Sequence, residues 1–336
     1  MTNNKSVFLR RLAGGSFRRM LAQVELVRGE TGRSRPLIFA DMAWCIMRYG
    51  VGYRDYRVFG FSEIRGKYRL TFLTMNKNLE LCERLNSREF TYLFDDKAMF
   101  NARFSEYIGR DYTDLRKADK SEFAEFCKGR STVFAKRVND FGGSGISRVR
   151  IGGGTDFGKL YDHLCGRGQF LVEEELKQHE RMKLLSPGSV NTLRIVTIRY
   201  NGKAEVLYAV VRMGVGGSCV DNTCSGGIYA PICSGGAISR PAFRDSTGEY
   251  FEKHPTTGTI LVGFEIPMFG EALELCIRAA AVVPQVGYVG WDVAITPDKP
   301  VLIEGNALPN YTLCQNFRYN DNGKGILPRI NEILGE

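Results

Sequence analysis

Apolar side chains recur at helical spacing near the start of the chain. Between residues 16 and 30 they fall three or four positions apart, at Phe17, Met20, Leu21, Val24 and Val27. This spacing predicts an amphipathic helix with one apolar face. The pattern stays mainly helical to about residue 95, without a strand followed by a glycine-rich turn and a helix, so a Rossmann domain is not expected there.

From about residue 96, β-like runs become more frequent. A short helix is predicted at residues 121–128 and a second at 271–283, ended by Gly129 and Pro284 respectively. Strands are predicted at 132–138, 147–151, 169–172, 191–200, 204–213, 288–295 and 301–304. Asn201-Gly202, between the two longest runs, is the strongest short hairpin signal. The mixture predicts an α+β fold.

The last two strands carry three hard ligands. If the turn between them is centred on Asp298, Asp292 lies opposite Glu304, and opposed residues point to the same face. Asn306 shares that face, because side chains alternate along a strand. Two carboxylates and an amide oxygen suit Mg²⁺ that also binds phosphate oxygens. The alternative is a solvated hairpin, but the apolar flanks argue that the carboxylates need a cation or a partner.

A glycine-rich run follows the predicted strand that contains Lys136. It comprises Phe141, Gly142, Gly143, Ser144 and Gly145. Glycines let the backbone approach a phosphate and donate N–H groups to it. The lysine precedes the glycines, so this is not a Walker A loop. Lys97 is a candidate second phosphate lysine. The alternatives are an ordinary glycine-rich hairpin and a surface lysine.

Acidic and basic residues cluster in the middle of the chain. The strand ending at Val172 is followed by Glu173 and, seven residues later, by Glu180, and an acidic segment with exposed backbone groups can contact an adenine edge and a ribose diol. A charged loop is the alternative. Arg194 and Arg212 lie in apolar strands and need an anionic partner, either a structural carboxylate or a transferring phosphoryl group. Asp221, Asn222 and His179 are candidate substrate contacts.

The composition narrows the setting. The chain has 336 residues, 43% hydrophobic and 25% charged, and no apolar run long enough to span a membrane. No signal peptide is expected. The nine cysteines form no CxxC pair, which favours reduced thiols in the cytoplasm, and three histidines disfavour a zinc site.

Positive charge is concentrated at the N-terminus. The net charge is +9, and residues 1–35 contain eight basic and two acidic side chains. One interpretation is a helix packed on the body with a solvated basic face. The other is a peripheral contact of residues 1–35 with anionic lipid, at the inner face of the membrane, or with a polyanionic glycan carrier. Nucleic acid is not expected as a partner, because no recognised reader motif is present.

In their order along the chain, these features resemble the ATP-grasp superfamily. The acidic run after Val172 is similar to the nucleotide hinge of D-alanine–D-alanine ligase. This similarity implies an adenine contact by Glu173, Glu174, Glu175 and Leu176, and a ribose contact by Glu180. A closer resemblance is to the sugar-transfer-associated ATP-grasp family, over about residues 60–320. It rests on Gln178-His179, on the runs 187–194, 220–222, 226–227, 254–258 and 290–294, and on Glu304-Gly305-Asn306.

The resemblance implies a fold and an activity. It implies a mainly helical region at 1–95, then a small subdomain at 96–175 and a large one at 176–336 that clamp ATP. ATP and two Mg²⁺ ions, a carboxylate and an amine would be bound. The implied enzyme is an ADP-forming carbon–nitrogen ligase that makes an amide through an acyl phosphate, on a sugar acid or glycan precursor of surface polysaccharide. A phosphotransferase acting on a sugar and a non-catalytic nucleotide-binding module are the alternatives.

Overall fold

A computed structural model of the protein describes residues 16–140, 145–218, 220–320 and 322–336. The chain divides into two compact units. One combines residues 1–84 with residues 310–336, and the other comprises residues 85–309. In the described ranges, no helix is long and apolar enough to cross a membrane.

The first unit is built from helices. These are α1 (Ser16–Thr31), α2 (Arg35–Tyr49), α3 (Tyr53–Val58), α4 (Met75–Leu85), a 3-10 helix (Gly66–Thr71) and the C-terminal helix Leu327–Leu334. Met20, Val24 and Val27 are buried on one face of α1, as predicted, whereas Phe17 and Leu21 are exposed. Gln315 ties the C-terminal segment in, because its side chain makes two hydrogen bonds to the backbone of Leu73.

The second unit begins with short helices and contains two antiparallel sheets. The helices are α5 (Arg88–Asp95), α6 (Lys97–Arg103), α7 (Ser105–Ile108), α8 (Lys120–Cys127), α9 (Phe157–Gly166), α10 (Glu180–Lys183) and α11 (Phe269–Ala279). The four-stranded sheet has the order β1-β4-β2-β3, with β1 (Tyr112–Asp114), β2 (Thr132–Lys136), β3 (Ile146–Arg150) and β4 (Leu171–Glu174).

The larger sheet has seven strands in the order β11-β10-β5-β6-β7-β8-β9. They are β5 (Thr192–Tyr200), β6 (Lys203–Met213), β7 (Ile228–Pro231), β8 (Ala242–Phe243), β9 (Tyr250–Phe251), β10 (Tyr288–Ile295) and β11 (Pro300–Asn306). Asn201 and Gly202 both have positive φ at the β5–β6 turn, which confirms the predicted hairpin. The α+β fold class with a helical N-terminal region is confirmed.

The two faces of the larger sheet differ in chemistry. One face carries apolar side chains such as Leu193, Val211 and Trp291. These belong to a core that also includes Phe104, which follows α6, and Leu275 of α11. The other face carries buried polar and charged side chains. Because side chains alternate along each strand, the same strands build the core and present charges on the opposite side.

One predicted helix end is wrong. The helix expected to run to residue 283 ends at Ala279, where the chain turns more tightly before it reaches Pro284. The N–H of Val282 donates to the carbonyl of Ala279, three residues back. Such tightening is common at helix ends, because it satisfies backbone groups without continuing the α-helix.

Candidate functional site

A cavity of about 360 Å³ lies within the second unit. Both sheets contribute to its wall: Phe134 and Lys136 come from β2, and Thr192 and Arg212 from β5 and β6. Its volume falls in the range of roughly 300–1,000 Å³ typical of small-molecule pockets. The wall is rich in charged side chains of both signs.

The carboxylates of the C-terminal hairpin lie at this cavity. Asp292 of β10 pairs directly with Glu304 of β11, and Gly290 pairs with Asn306, so the predicted register is confirmed here. Beyond Asp292 the register shifts, because Val293 pairs with Leu302 and leaves one extra residue in β11. This β-bulge lies next to Glu304.

Two arginines hold Asp292. Arg194 Nε donates to Oδ1 at 2.5 Å, and Arg212 Nη2 donates to Oδ2 at 2.7 Å. Asp292 is opposite Arg194 in the β10–β5 ladder, so this contact follows from the register. Burial opposes ionisation, but the two guanidinium groups lower the pKa of Asp292 to about 2. Burial and the neighbouring Asp292 charge raise the pKa of Glu304.

The donor set fits a Mg²⁺ ion that is shared with a phosphate-bearing ligand. Glu304 lies 3.7 Å from Lys97 Nζ, and a further cation beside it would oppose the burial and the Asp292 charge that raise its pKa. Among the described residues, no three acidic, histidine or cysteine side chains form a metal-binding group. Mg²⁺ commonly uses only one or two carboxylates and takes its other ligands from phosphate and water.

Lys97 and Lys136 both line the cavity. Lys97 begins α6, and its Nζ donates to the Asp140 carbonyl at 2.5 Å, at the end of the segment that leads into the glycine-rich run. Lys136 ends β2 and forms an ion pair with Glu173 of β4. Of the glycine-rich run, Gly145 lines the cavity, while Gly142, Gly143 and Ser144 lie outside the described residues.

Glu173 is a fully enclosed carboxylate. Besides Lys136, it accepts hydrogen bonds from Arg110 Nη2 at 2.7 Å and from Asn101 Nδ2 at 2.6 Å. Burial would raise its pKa, but Arg110 and Lys136 hold the pKa of Glu173 well below its usual range. Its side chain is thus used to fix the position of a cavity lysine.

Arg110 is a residue that sequence reasoning missed. Its Nη1 donates to the Leu302 carbonyl at 2.7 Å, and its Nη2 to the Ile303 carbonyl at 3.1 Å. These two carbonyls belong to the bulge beside Glu304. Arg110 therefore links the Lys136–Glu173 pair to the strand that carries Glu304. An isolated arginine before β1 has no sequence signal, since its partners are distant in the chain.

A second acidic residue supports Arg212. Asp221 Oδ2 accepts from the Thr192 N–H at 2.9 Å and from the Thr192 hydroxyl, and lies 3.7 Å from Arg212 Nε. Arg212 also donates to Thr192 Oγ1 at 2.7 Å. Asp221 and Asn222 both line the cavity. Arg212 is therefore clamped between two carboxylates and has little rotational freedom.

Three of the remaining predicted residues line the cavity, and four do not. Glu174, Glu175 and Leu176 line it. The four outside its lining are Arg194, His179, Glu180 and Asn306. Arg194 contacts Asp292, and Asn306 Nδ2 lies 3.5 Å from the Gly290 carbonyl.

His179 and Glu180 have local roles. The His179 ring accepts from the Arg181 N–H at 3.1 Å and so caps α10. The Glu180 carboxylate pairs with Lys183 at 2.5 Å and is largely exposed.

His254, a second loop histidine, is structural. Its Nε2 contacts the Gly214 carbonyl at 2.9 Å, and its Nδ1 lies 3.3 Å from the N–H of Thr256 and of Thr257. Burial lowers the pKa of His254. The ring thus holds the turn 254–258 against the loop after β6.

The solved structures that match this chain do so at low similarity. They include D-alanyl-alanine synthetase A from Vibrio cholerae, with TM-score 0.37 and 14% identity over 73% of this chain and 61% of that chain. An L-amino acid ligase from Bacillus licheniformis has TM-score 0.39 and 12% identity, over 64% of this chain and 41% of that one. N5-carboxyaminoimidazole synthase from Aspergillus clavatus, in complex with ADP, has TM-score 0.42 and 11% identity, over 68% of this chain and 49% of that one.

This chain spans less than two thirds of the length of each of these proteins. No curated protein matches the chain significantly.

The amino-acid sequence shows which family the chain belongs to. A model of the sugar-transfer-associated ATP-grasp family matches residues 76–334, which is most of the chain. The match includes every residue placed at the cavity above. It confirms the resemblance inferred from the ordered motifs. The chain belongs to the sugar-transfer-associated ATP-grasp family.

Proposed function

We propose that the protein is an ATP-dependent carboxylate–amine ligase that forms an amide through an acyl-phosphate intermediate. The acceptor we propose is a sugar acid or glycan precursor used in surface polysaccharide synthesis. One observation carries the proposal: the paired carboxylates Asp292 and Glu304 share one cavity with Lys97, Lys136 and Arg212. Carboxylates for a metal and cations for phosphate oxygens are the groups that phosphoryl transfer requires.

Each cation has a proposed role at the nucleotide. Lys97 and Lys136 would neutralise phosphate oxygens, since both are held near the glycine-rich run by Asp140 and Glu173. Asp292, Glu304 and Asn306 would hold one or two Mg²⁺ ions. When bound, Mg²⁺ supplies charge neutralisation on the phosphates and helps to align them. Gly142 to Gly145 would cover the phosphates.

The adenosine end is proposed to lie along residues 173–176. The end of β4 and the two residues after it line the cavity, and their backbone groups could contact an adenine edge. Glu180 would have to leave its ion pair with Lys183 to reach a ribose. His179, Asp221 and Asn222 are proposed to face the acceptor.

The proposed chemistry has two steps. A carboxylate oxygen of the acceptor attacks the γ-phosphorus of ATP, the bond to the β-phosphate oxygen breaks, and ADP leaves. The amine nitrogen then attacks the acyl carbon, phosphate leaves with the bonding pair, and the amine gives its proton to solvent. Arg212 is the proposed group that stabilises charge on the moving phosphoryl group, because Asp221 and Asp292 hold its guanidinium in place.

Two wider proposals accompany the activity. Residues 96–175 and 176–336 are proposed as the small and large nucleotide-binding subdomains, after a helical region at 1–95. Support comes from the two sheets, which fall on either side of residue 175 in the sequence.

A cytoplasmic location is also proposed. The seven cysteines whose side chains are described have free thiols, in keeping with a reducing compartment.

A screen for ADP release tests the activity. Amino acids are combined with uronic acids or nucleotide-linked uronic acids, and the products of active pairs are identified. We expect ADP, inorganic phosphate and an amide. ADP with a phosphorylated sugar would instead establish a phosphotransferase. If the protein bound ATP but released no ADP with every pair tested, a non-catalytic nucleotide-binding module would be favoured.

A further inference from the structure

The entire net charge of the protein lies in one of its two units. Residues 85–309 contain 27 basic and 27 acidic side chains and are neutral. Residues 1–84 and 310–336 contain 19 basic and 10 acidic side chains, a net charge of +9. The positively charged unit is therefore not the one that contains the cavity described above.

The same unit exposes an apolar stripe along α2. Leu37, Ala40, Trp44 and Met47 are three or four residues apart and lie on one exposed face. Leu37, Trp44 and Met47 are 68%, 53% and 41% exposed. The opposite face is buried in the unit, through Ile38, Met42, Cys45 and Ile46. The stripe is thus an outward face of a well-anchored helix.

Acidic side chains near the stripe are already neutralised. Between residues 16 and 50 there are three, and each is in an ion pair with an arginine: Glu25–Arg35 at 2.5 Å, Glu30–Arg57 at 2.8 Å and Asp41–Arg69 at 2.6 Å. Arg18 and Arg19 of α1 and Arg48 of α2 are exposed. Residues 16–50 contain six arginines and three acids, so this part of the chain has a net charge of +3.

We propose that the exposed face of α2 docks on an anionic lipid surface. An apolar stripe with tryptophan, in a segment with net positive charge and with Arg48 one turn after Trp44, matches a bilayer interface, where apolar side chains enter the headgroup boundary and basic ones meet anionic headgroups. A second copy of this chain would bring a like-charged unit against it. A soluble polyanion would satisfy the arginines but leave Leu37 and Trp44 in water.

The two tryptophans make a direct test possible. Trp44 is half exposed, whereas Trp291 is fully buried in the other unit, with its indole N–H donating to Thr197. The full chain is mixed with phosphatidylcholine vesicles that contain brominated phosphatidylglycerol, whose bromine quenches only tryptophans inserted in the bilayer. We expect quenching that is lost in Trp44→Phe, while that variant still sediments with the vesicles.

Substitutions then separate the apolar contribution. Leu37→Ser with Trp44→Ser should weaken vesicle partitioning by at least about tenfold, because two large apolar side chains are lost. The matched control is Ile260→Ser with Val262→Ser, at 65% and 44% exposure in the neutral unit, which should bind as the wild type does. Circular dichroism checks that each variant is folded.

Several results would overturn the proposal. They are failure of the wild type to bind the anionic vesicles, wild-type binding by the Leu37/Trp44 variant, or equal binding to pure phosphatidylcholine. A dimer in light scattering that this variant converts to a monomer, without vesicle binding, would assign the face to a second copy. Loss of vesicle binding in Arg18→Gln with Arg19→Gln but not in the Leu37/Trp44 variant would mean a purely electrostatic contact.

Discussion

The two units of this chain use charged side chains in opposite ways. In residues 85–309 the charges balance, and at the cavity Glu173 and Asp292 are each enclosed by two cations. In residues 1–84 and 310–336 the charge is +9. That unit has one third of the residues but nine of the sixteen large apolar side chains that are exposed in the described ranges.

The difference indicates a division of labour. Buried, paired charges are expensive to desolvate, so they are expected where a rigid arrangement of charge is needed, as in phosphoryl transfer. An unbalanced, exposed charge beside apolar side chains adds little to folding, and it suits association with an oppositely charged surface. Variants that affect one property and leave the other unchanged test this division.

The largest effect is expected from Glu304→Gln. The loss of one carboxylate at the proposed metal site should reduce ATP turnover by at least about 100-fold, since a bound metal contributes several kcal/mol at the transition state. Vesicle binding should be unchanged. Glu125→Gln is the matched control, because the side chain of Glu125 is 73% exposed and does not line the cavity. Wild-type turnover in Glu304→Gln would remove the metal assignment.

Arg110→Met should destabilise the neutral unit. Glu173 would lose one of its two cations, and the Leu302 and Ile303 carbonyls would lose a donor. We expect the free energy of unfolding to fall by about 3 kcal/mol, the size found when a buried ion pair is broken. Denaturation is followed through Trp291 in a Trp44→Phe background. Arg148→Met, which removes an exposed pair with Glu175, should change stability by less than about 1 kcal/mol.

The effect of Arg110→Met should depend on pH. Because the pKa of Glu173 is lowered in the folded protein, its ion pairs contribute fully to stability when the pH is above 4.5, the usual glutamate pKa. This contribution is lost as the pH falls towards the folded-state pKa. The stability gap between wild type and variant should therefore narrow on acidification below 4.5. A gap that widened in acid would contradict the proposed role of the ion pair.

Arg19→Gln with Arg48→Gln tests the charge of the other unit. At about 1 kcal/mol for each basic residue at an anionic surface, vesicle partitioning should weaken about five- to thirtyfold. ATP turnover should not change. Lys120→Gln with Lys128→Gln removes two exposed charges from the neutral unit and is the control. If the control weakened binding as much, the charge asymmetry would be irrelevant to docking.

The smallest effect is expected at His254. Burial lowers the pKa of His254. The neutral ring therefore contributes to the free energy of unfolding when the pH is above 6.5, the ordinary pKa of histidine, and this contribution is lost as the pH falls through the folded-state pKa. The melting temperature of the wild type should therefore fall on acidification below 6.5. His254→Gln should flatten that dependence, and parallel curves for the two proteins would contradict it.

Much of the hairpin could be predicted from sequence alone. A turn centred on Asp298 placed Asp292 opposite Glu304, and the structure confirms that pairing. The turn itself is centred between Pro297 and Asp298, because Ile295 pairs with Pro300, and the extra residue of the bulge restores the predicted pairing at Asp292. The bulge beyond it could not be predicted, because its free carbonyls are satisfied by Arg110, about 190 positions away in the chain. Local pattern defines register, whereas long-range side-chain contacts determine where the register shifts.

The limits at the cavity have the same origin. The strand was predicted to end at Val172, but β4 continues to Glu174, and its residue Glu173 is enclosed by Arg110, Lys136 and Asn101. The sequence also did not predict that the ring of His179, a proposed substrate contact, caps the start of α10. Residue type and spacing suggest which side chains carry chemistry, but their partners depend on the packing of both sheets.

Isotope transfer tests the central claim most directly. An active uronic acid from the ADP-release screen is labelled with ¹⁸O in its carboxylate and incubated with ATP, Mg²⁺ and its amine. The released phosphate is then examined by ³¹P NMR. A ligase that works through an acyl phosphate must transfer one carboxylate oxygen to the phosphate, so we expect one ¹⁸O in each phosphate released. Unlabelled phosphate formed together with the amide would contradict the account.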